Sequence, residues 1–177
     1  MKQITITIIT LLLSWNGIKA QYSSSIHDAS RNGETETVKA LIAKNPDILN
    51  QKNPMGFTPL ILAVYNDQEE TAKVLIDEGA DIDAFDKSGN TALMGAIFKG
   101  FLNQVELLVA SGANVNQQNY NHATALTFAA TFGTAELAKI LMEAGGDPNL
   151  KDNQGKTPLD HALFQGNGEV VRIFKKQ

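Results

Sequence analysis

Cysteine is absent from this chain of 177 residues. That absence excludes disulfides, zinc fingers, iron–sulfur clusters, a thiol nucleophile and lipid attachment through sulfur. A surplus of positive charge is missing too: 15 lysines and arginines stand against 19 acids, a formal net charge of −4. This balance leaves no electrostatic footprint for nucleic acid or anionic lipid. No asparagine opens an Asn-x-Ser/Thr acceptor, so N-glycosylation has no site. One apolar run stands out, Ile4 through Leu13, broken only by threonines, and it is about half the roughly 20 residues that a spanning helix needs. What the chain does have is an apolar fraction of 43%, ordinary for a folded protein and too high for a wholly disordered one.

The apolar run reads as part of a leader. Lys2 gives a positive start, the run follows, and a more polar stretch ends in the small residue Ala20 before Gln21. This is the layout of a secretory signal cut after Ala20. Residues 1–20 are therefore expected to be a signal peptide, and residues 21–177 one folded domain without stable membrane insertion. The leader takes away Lys2 and Lys19 and no acid, leaving 13 positive against 19 negative side chains. Export without cysteines or glycosylation acceptors suits a bacterial periplasm or the cell exterior. Position 21 is not cysteine, so no lipid-anchored form is expected.

The strongest signal is self-similarity. Gly56-Phe57-Thr58-Pro59-Leu60 recurs as Gly89-Asn90-Thr91-Ala92-Leu93, as His122-Ala123-Thr124-Ala125-Leu126 and as Gly155-Lys156-Thr157-Pro158-Leu159. The threonines are spaced by 33 residues, and Ala63, Ala96, Ala129 and Ala162 each follow five residues later. Gly79-Ala80-Asp81, Gly112-Ala113-Asn114 and Gly145-Gly146-Asp147 mark a second recurring turn. A looser copy precedes these, with Ile26-His27-Asp28-Ala29 in the place of Leu60-Ile61-Leu62-Ala63. The pattern resembles the ankyrin repeat, with its period of 33 and its Thr-Pro-Leu-His-x-Ala box. Repeats are expected at 25–54, 55–87, 88–120, 121–153 and 154–177.

Each copy predicts two short helices, Pro59–Asn66 and Glu69–Glu78 in the second. Threonine caps the first, with proline at its first position, and a left-handed Gly79 ends the second. Val38, Ala72, Val105, Ala138 and Val171 form one apolar column, and Leu41, Leu75, Leu108, Leu141 and Phe174 another. One helix pair cannot bury such a face, so neighbours stack around a continuous core. Ile42, Ile76, Val109 and Met142 give way to Lys175 in the last copy, which fits an end cap. The expected fold is an all-α ankyrin solenoid with protruding turn fingers. Histidine stands at 122 where the other fingers carry Gly56, Gly89 and Gly155, so that finger is expected to be reshaped.

No catalytic, metal or cofactor constellation emerges. Gly155-Lys156-Thr157 lacks the upstream glycine of a phosphate loop and belongs to the repeat box. His27, His122 and His161 fall in different copies, without the close pairing of metal motifs. What rises above background is the column that ankyrin domains turn into their concave groove. It holds Tyr65, Phe98, Lys99, Phe132 and Phe164, and the adjoining fingers carry Phe57, Phe85 and Tyr120. Aligned aromatics on one face point to a binding surface. The leader, the acidic balance and the resemblance together lead us to expect an exported, non-enzymatic module that binds a protein partner through its groove and finger tips, and no nucleic acid. Inhibitor, immunity or accessory roles all fit. The alternatives are a small enzyme or ligand-binding protein using the groove, or a structural protein of the cell envelope. Mass spectrometry of the exported chain should find a mature N-terminus near Gln21; intact residues 1–20 would refute the leader.

Overall fold

The structure is a computed structural model that describes residues 25–175; the leader read over residues 1–20 lies outside them. The described residues contain ten α-helices in five consecutive pairs and no β-strand. The pairs are α1 (Ile26–Asn32) with α2 (Thr35–Lys44), α3 (Pro59–Tyr65) with α4 (Glu69–Asp77), and α5 (Ala92–Lys99) with α6 (Leu102–Ala110). They continue as α7 (Ala125–Phe132) with α8 (Ala135–Glu143), and α9 (Pro158–Phe164) with α10 (Gly168–Phe174). A 3₁₀ turn, Pro46–Ile48, follows α2.

Local chemistry sets each boundary. The hydroxyls of Thr58, Thr91, Thr124 and Thr157 accept the backbone N–H three residues on, and Ser25 does the same for α1. Each such cap contributes about 1 kcal/mol. Gly79 ends the second helix at φ 89°, as the sequence predicts. The helices of that pair each stop one residue short of the predicted end. Between paired helices the chain turns through left-handed Gly33, Gly100 and Gly166. Asp67 does so at φ 56° without being glycine, and its carboxylate accepts a bond from the buried Gln104 amide of α6 at 3.4 Å.

First helices pack on first helices and second helices on second helices, giving two layers. Ala29, Ala63, Ala96, Ala129 and Ala162 are completely buried between successive first helices, and a side chain this small lets the backbones approach closely. Leu75, Leu108 and Leu141 are equally buried in the second layer, whereas Leu41 at one end is only partly so. In the Ile42 column, Ile42 alone is buried; Ile76, Val109 and Met142 are half-buried. That column therefore runs along the margin of the core, and exposed Lys175 is a smaller departure than the sequence implies.

The fingers have a common construction. Asn53, Asp86, Asn119 and Asp152 each offer one side-chain oxygen to the backbone N–H groups two and four residues later. This closes the turn around a left-handed residue, Gly56, Gly89 or Gly155 at φ 75–85° and His122 at φ 58°. The expected reshaping at His122 does not occur. Its finger keeps the same closing bond, from Asn119 N–H to the Ala123 carbonyl. Left-handed geometry costs a side chain roughly 1–2 kcal/mol, and the bonds converging on Asn119 hold the turn against that cost. Side-chain rungs then link one finger to the next: Asn50, Asp83 and Asn116 accept the backbone N–H groups of Asp81, Asn114 and Asp147.

This arrangement predicts unequal costs for core truncation. Leu108→Ala, with a pair stacked on each side, should lose about 2–5 kcal/mol. Phe174→Ala, in the last described pair, should lose less. Denaturant titration of both variants is the check, and equal losses would contradict the stack.

Candidate partner-binding groove

The first helices and the inner edges of the fingers share one face. Residues 65 and 98 hold the same place in α3 and α5, so stacking makes them neighbours. The Tyr65 and Phe98 rings lie 6.5 Å apart at 22°. Phe57 extends the row on one side, 6.4 Å from Tyr65 at 27°. On the other side Phe132 meets Phe98 edge-on at 5.3 Å and 81°, with Phe128 6.0 Å beyond. Tyr65, Phe98 and Phe132 keep 36%, 48% and 58% of their surface exposed. The ladder is thus open to solvent while its rings brace one another.

A cavity of about 340 Å³ opens within the ladder, lined by the five rings together with Ile61, Asp86 and Gly95. Gly95 makes the room. A Cβ there would meet the Tyr65 ring at 3.0 Å, and the equivalent helix positions carry Asp28, Leu62, Phe128 and His161. Glycine inside a helix costs about 1 kcal/mol against alanine. Gly95 and Phe128 escaped the sequence reading, although a glycine in the interior of an otherwise apolar helix was a visible signal.

The sequence-predicted residues divide into three groups. Phe57, Tyr65, Phe98 and Phe132 form the ladder, and Lys99 joins them with its Nζ 5.4 Å from the Tyr65 ring and 5.7 Å from Phe101. Phe164, 79% exposed, instead takes Lys156 Nζ at 5.3 Å from its ring. Phe85 and Tyr120 pair with each other on successive fingers at 6.2 Å. Phe85 is half-buried there, so only Tyr120 presents most of its ring. Phe57, read as a finger residue, belongs to the groove, because it is the last residue before the Thr58 cap and packs against the core.

The carboxylates on this face are committed to the chain itself. Asp86 accepts the Ser88 and Asn90 amides. Asp28 bonds Ser25 and Arg31, and the Ser25 hydroxyl with the Arg31 charge holds its carboxyl below the usual range despite some burial. Asp160 is lowered by the Thr157 amide and hydroxyl in a capping box. Burial pushes the Asp152 carboxyl up, but hydrogen bonds from His161 and from the Lys156 and Gln154 amides outweigh it and leave it lowered. His161 Nε2 lies 2.7 Å from Asp152, pinning the finger to α9. The hydroxyls of Thr127 and Thr131 beside this pair are engaged with Thr124 and the Thr127 carbonyl. Among the described residues, no group of three or more acidic or histidine side chains is placed to hold a metal ion. None of the described helices is long and apolar enough to cross a membrane.

A two-layer all-α stack with a ring-lined face is the architecture of a repeat solenoid, the class that uses extended surfaces for recognition. The family model described as ankyrin repeats (3 copies) matches residues 5–86, 26–119 and 93–177, and the chain belongs to the ankyrin repeat family. Curated relatives share parts of it. Inversin of Gallus gallus is 37% identical over 71 residues, 40% of this chain and 6% of that protein. M-phase phosphoprotein 8 of Homo sapiens is 34% identical over 73 residues, 41% and 8% of the two chains. Protein phosphatase 1 regulatory subunit 12A of Mus musculus is 36% identical over 69 residues, 39% and 7%. The matched segments thus span less than a tenth of these relatives. Ankyrin repeats generally mediate protein–protein interaction.

The lowered Asp152 carboxyl sets a pH dependence. Its contribution to stability is complete above the ordinary value of 3.8 and is lost as pH falls through the lower folded value. Asp152→Asn preserves an acceptor of the kind Asn53 and Asn119 supply, but carries no titrating group. Thermal melts at stepwise lower pH should show the parent losing stability below about pH 4 more steeply than the variant; parallel curves would refute the assignment.

Proposed function

We propose that the five helix pairs are five ankyrin repeats of an exported, non-enzymatic module that captures a protein partner on its groove. The observation that carries this reading is the uninterrupted run of rings from Phe57 to Phe132 across three adjacent pairs. Such a run exposes an apolar strip that a lone surface aromatic would not, and aromatic anchors supply much of the binding energy in protein interfaces. The strip is held by stacked helices before any partner arrives, which keeps the ordering cost of association low. The commitment of the groove carboxylates to backbone and side-chain partners argues against their use as general acids or bases. Export rests on the leader, and inhibitor or accessory roles follow from a binder placed outside the cytoplasm.

A second reading has one observation in its favour: a cavity of about 340 Å³ is large enough for a small aromatic ligand. Two double variants separate the surfaces. Phe98→Ala with Phe132→Ala should weaken capture of the partner from an extract of exported proteins at least tenfold, with little change in folding stability because both rings are half-exposed. Phe85→Ala with Tyr120→Ala should leave capture intact. The opposite outcome moves the site to the fingers.

A further inference from the structure

Two lysines on the groove face rest over aromatic rings. The chain as a whole is acidic, and the carboxylates on the face carrying the rings keep their charge but have acceptor oxygens engaged within the chain. Asp28, Asp86, Asp152 and Asp160 all bond to the chain's own hydroxyls, amides, Arg31 or His161. Lys99 and Lys156, on the same face, behave differently. Among the described residues no carboxylate forms a salt bridge with either. Each ammonium instead rests over a ring, Lys99 over Tyr65 and Phe101 and Lys156 over Phe164. A cation on an exposed ring gains only modestly and keeps its donors available.

From this pairing we infer that the groove, read as above as a protein-binding site, takes a partner segment with an aromatic or large apolar side chain next to acidic residues. The apolar side chain fills the cavity over Gly95. Carboxylates beside it reach Lys99 over the Tyr65 ring and Lys156 further along the stack. A segment rather than a free small acid is the occupant, because the rings continue over three pairs and the second lysine lies in the fifth. A basic segment would meet both lysines, and like-charge contacts are what interfaces use to reject wrong partners.

Selection of a random displayed-peptide library on the immobilised chain tests this. The expected result is enrichment of peptides that place an aromatic residue beside Asp or Glu. A selected peptide should bind about tenfold more weakly to the Lys99→Gln, Lys156→Gln double variant, and more weakly in high salt. Aromatic peptides enriched without acidic bias, or with Lys or Arg, overturn this inference and leave the groove reading standing. Failure to enrich any peptide beyond the Phe98→Ala, Phe132→Ala chain overturns both. Saturable binding of benzoate with no peptide enriched assigns the cavity to a small ligand and also overturns the inference.

Discussion

A helix of seven to ten residues, the range found among the described residues, is too short to persist in water by its own hydrogen bonds. Each helix here exists because its apolar face is covered by its partner helix and by the neighbouring pairs. The alanine of every first helix makes that possible, since a larger side chain would hold the backbones apart and uncover the leucines behind. The fingers obey the same spacing, because a rung from Asn50, Asp83 or Asn116 closes only when the next turn arrives at the right height. The step between pairs is thus fixed twice, by apolar contact on the helix side and by hydrogen bonds on the finger side.

Once the step is fixed, sequence register becomes spatial order. Tyr65 and Phe98 are 33 residues apart and end as nearly parallel rings. Phe132 stands one residue past the equivalent Thr131, and that offset of one helical position turns its ring edge-on to Phe98. The ladder consequently bends at its third pair, and the cavity sits where the Gly95 gap and this bend coincide. A regular row of identical aromatics would have made a flat strip with less shape to recognise.

The helix pairs, the threonine caps of four first helices and the glycines after three second helices are legible because they depend on local chemistry repeated in register. The groove was legible only as a column. Nothing local says that Phe57 turns inward while Phe85 pairs with Tyr120, since both precede or follow similar turn residues and their directions are chosen by packing. Gly95 was readable as an oddity but not as a pocket, because its meaning depends on a tyrosine contributed by the neighbouring pair. His122 shows the reverse case: the local penalty is real, and the asparagine three residues earlier outweighs it.

The ring ladder occupies the middle of the described stack, with α1 and α2 on one side and α9 and α10 on the other. In a quasi-one-dimensional assembly the end units have one neighbour and open most readily. The outer pairs therefore open first, the fifth taking Lys156 with it. Thermal breathing or a protease cut at either end of the described stack unravels a pair that contributes no ring to the cavity, while the three pairs that shape it stay folded.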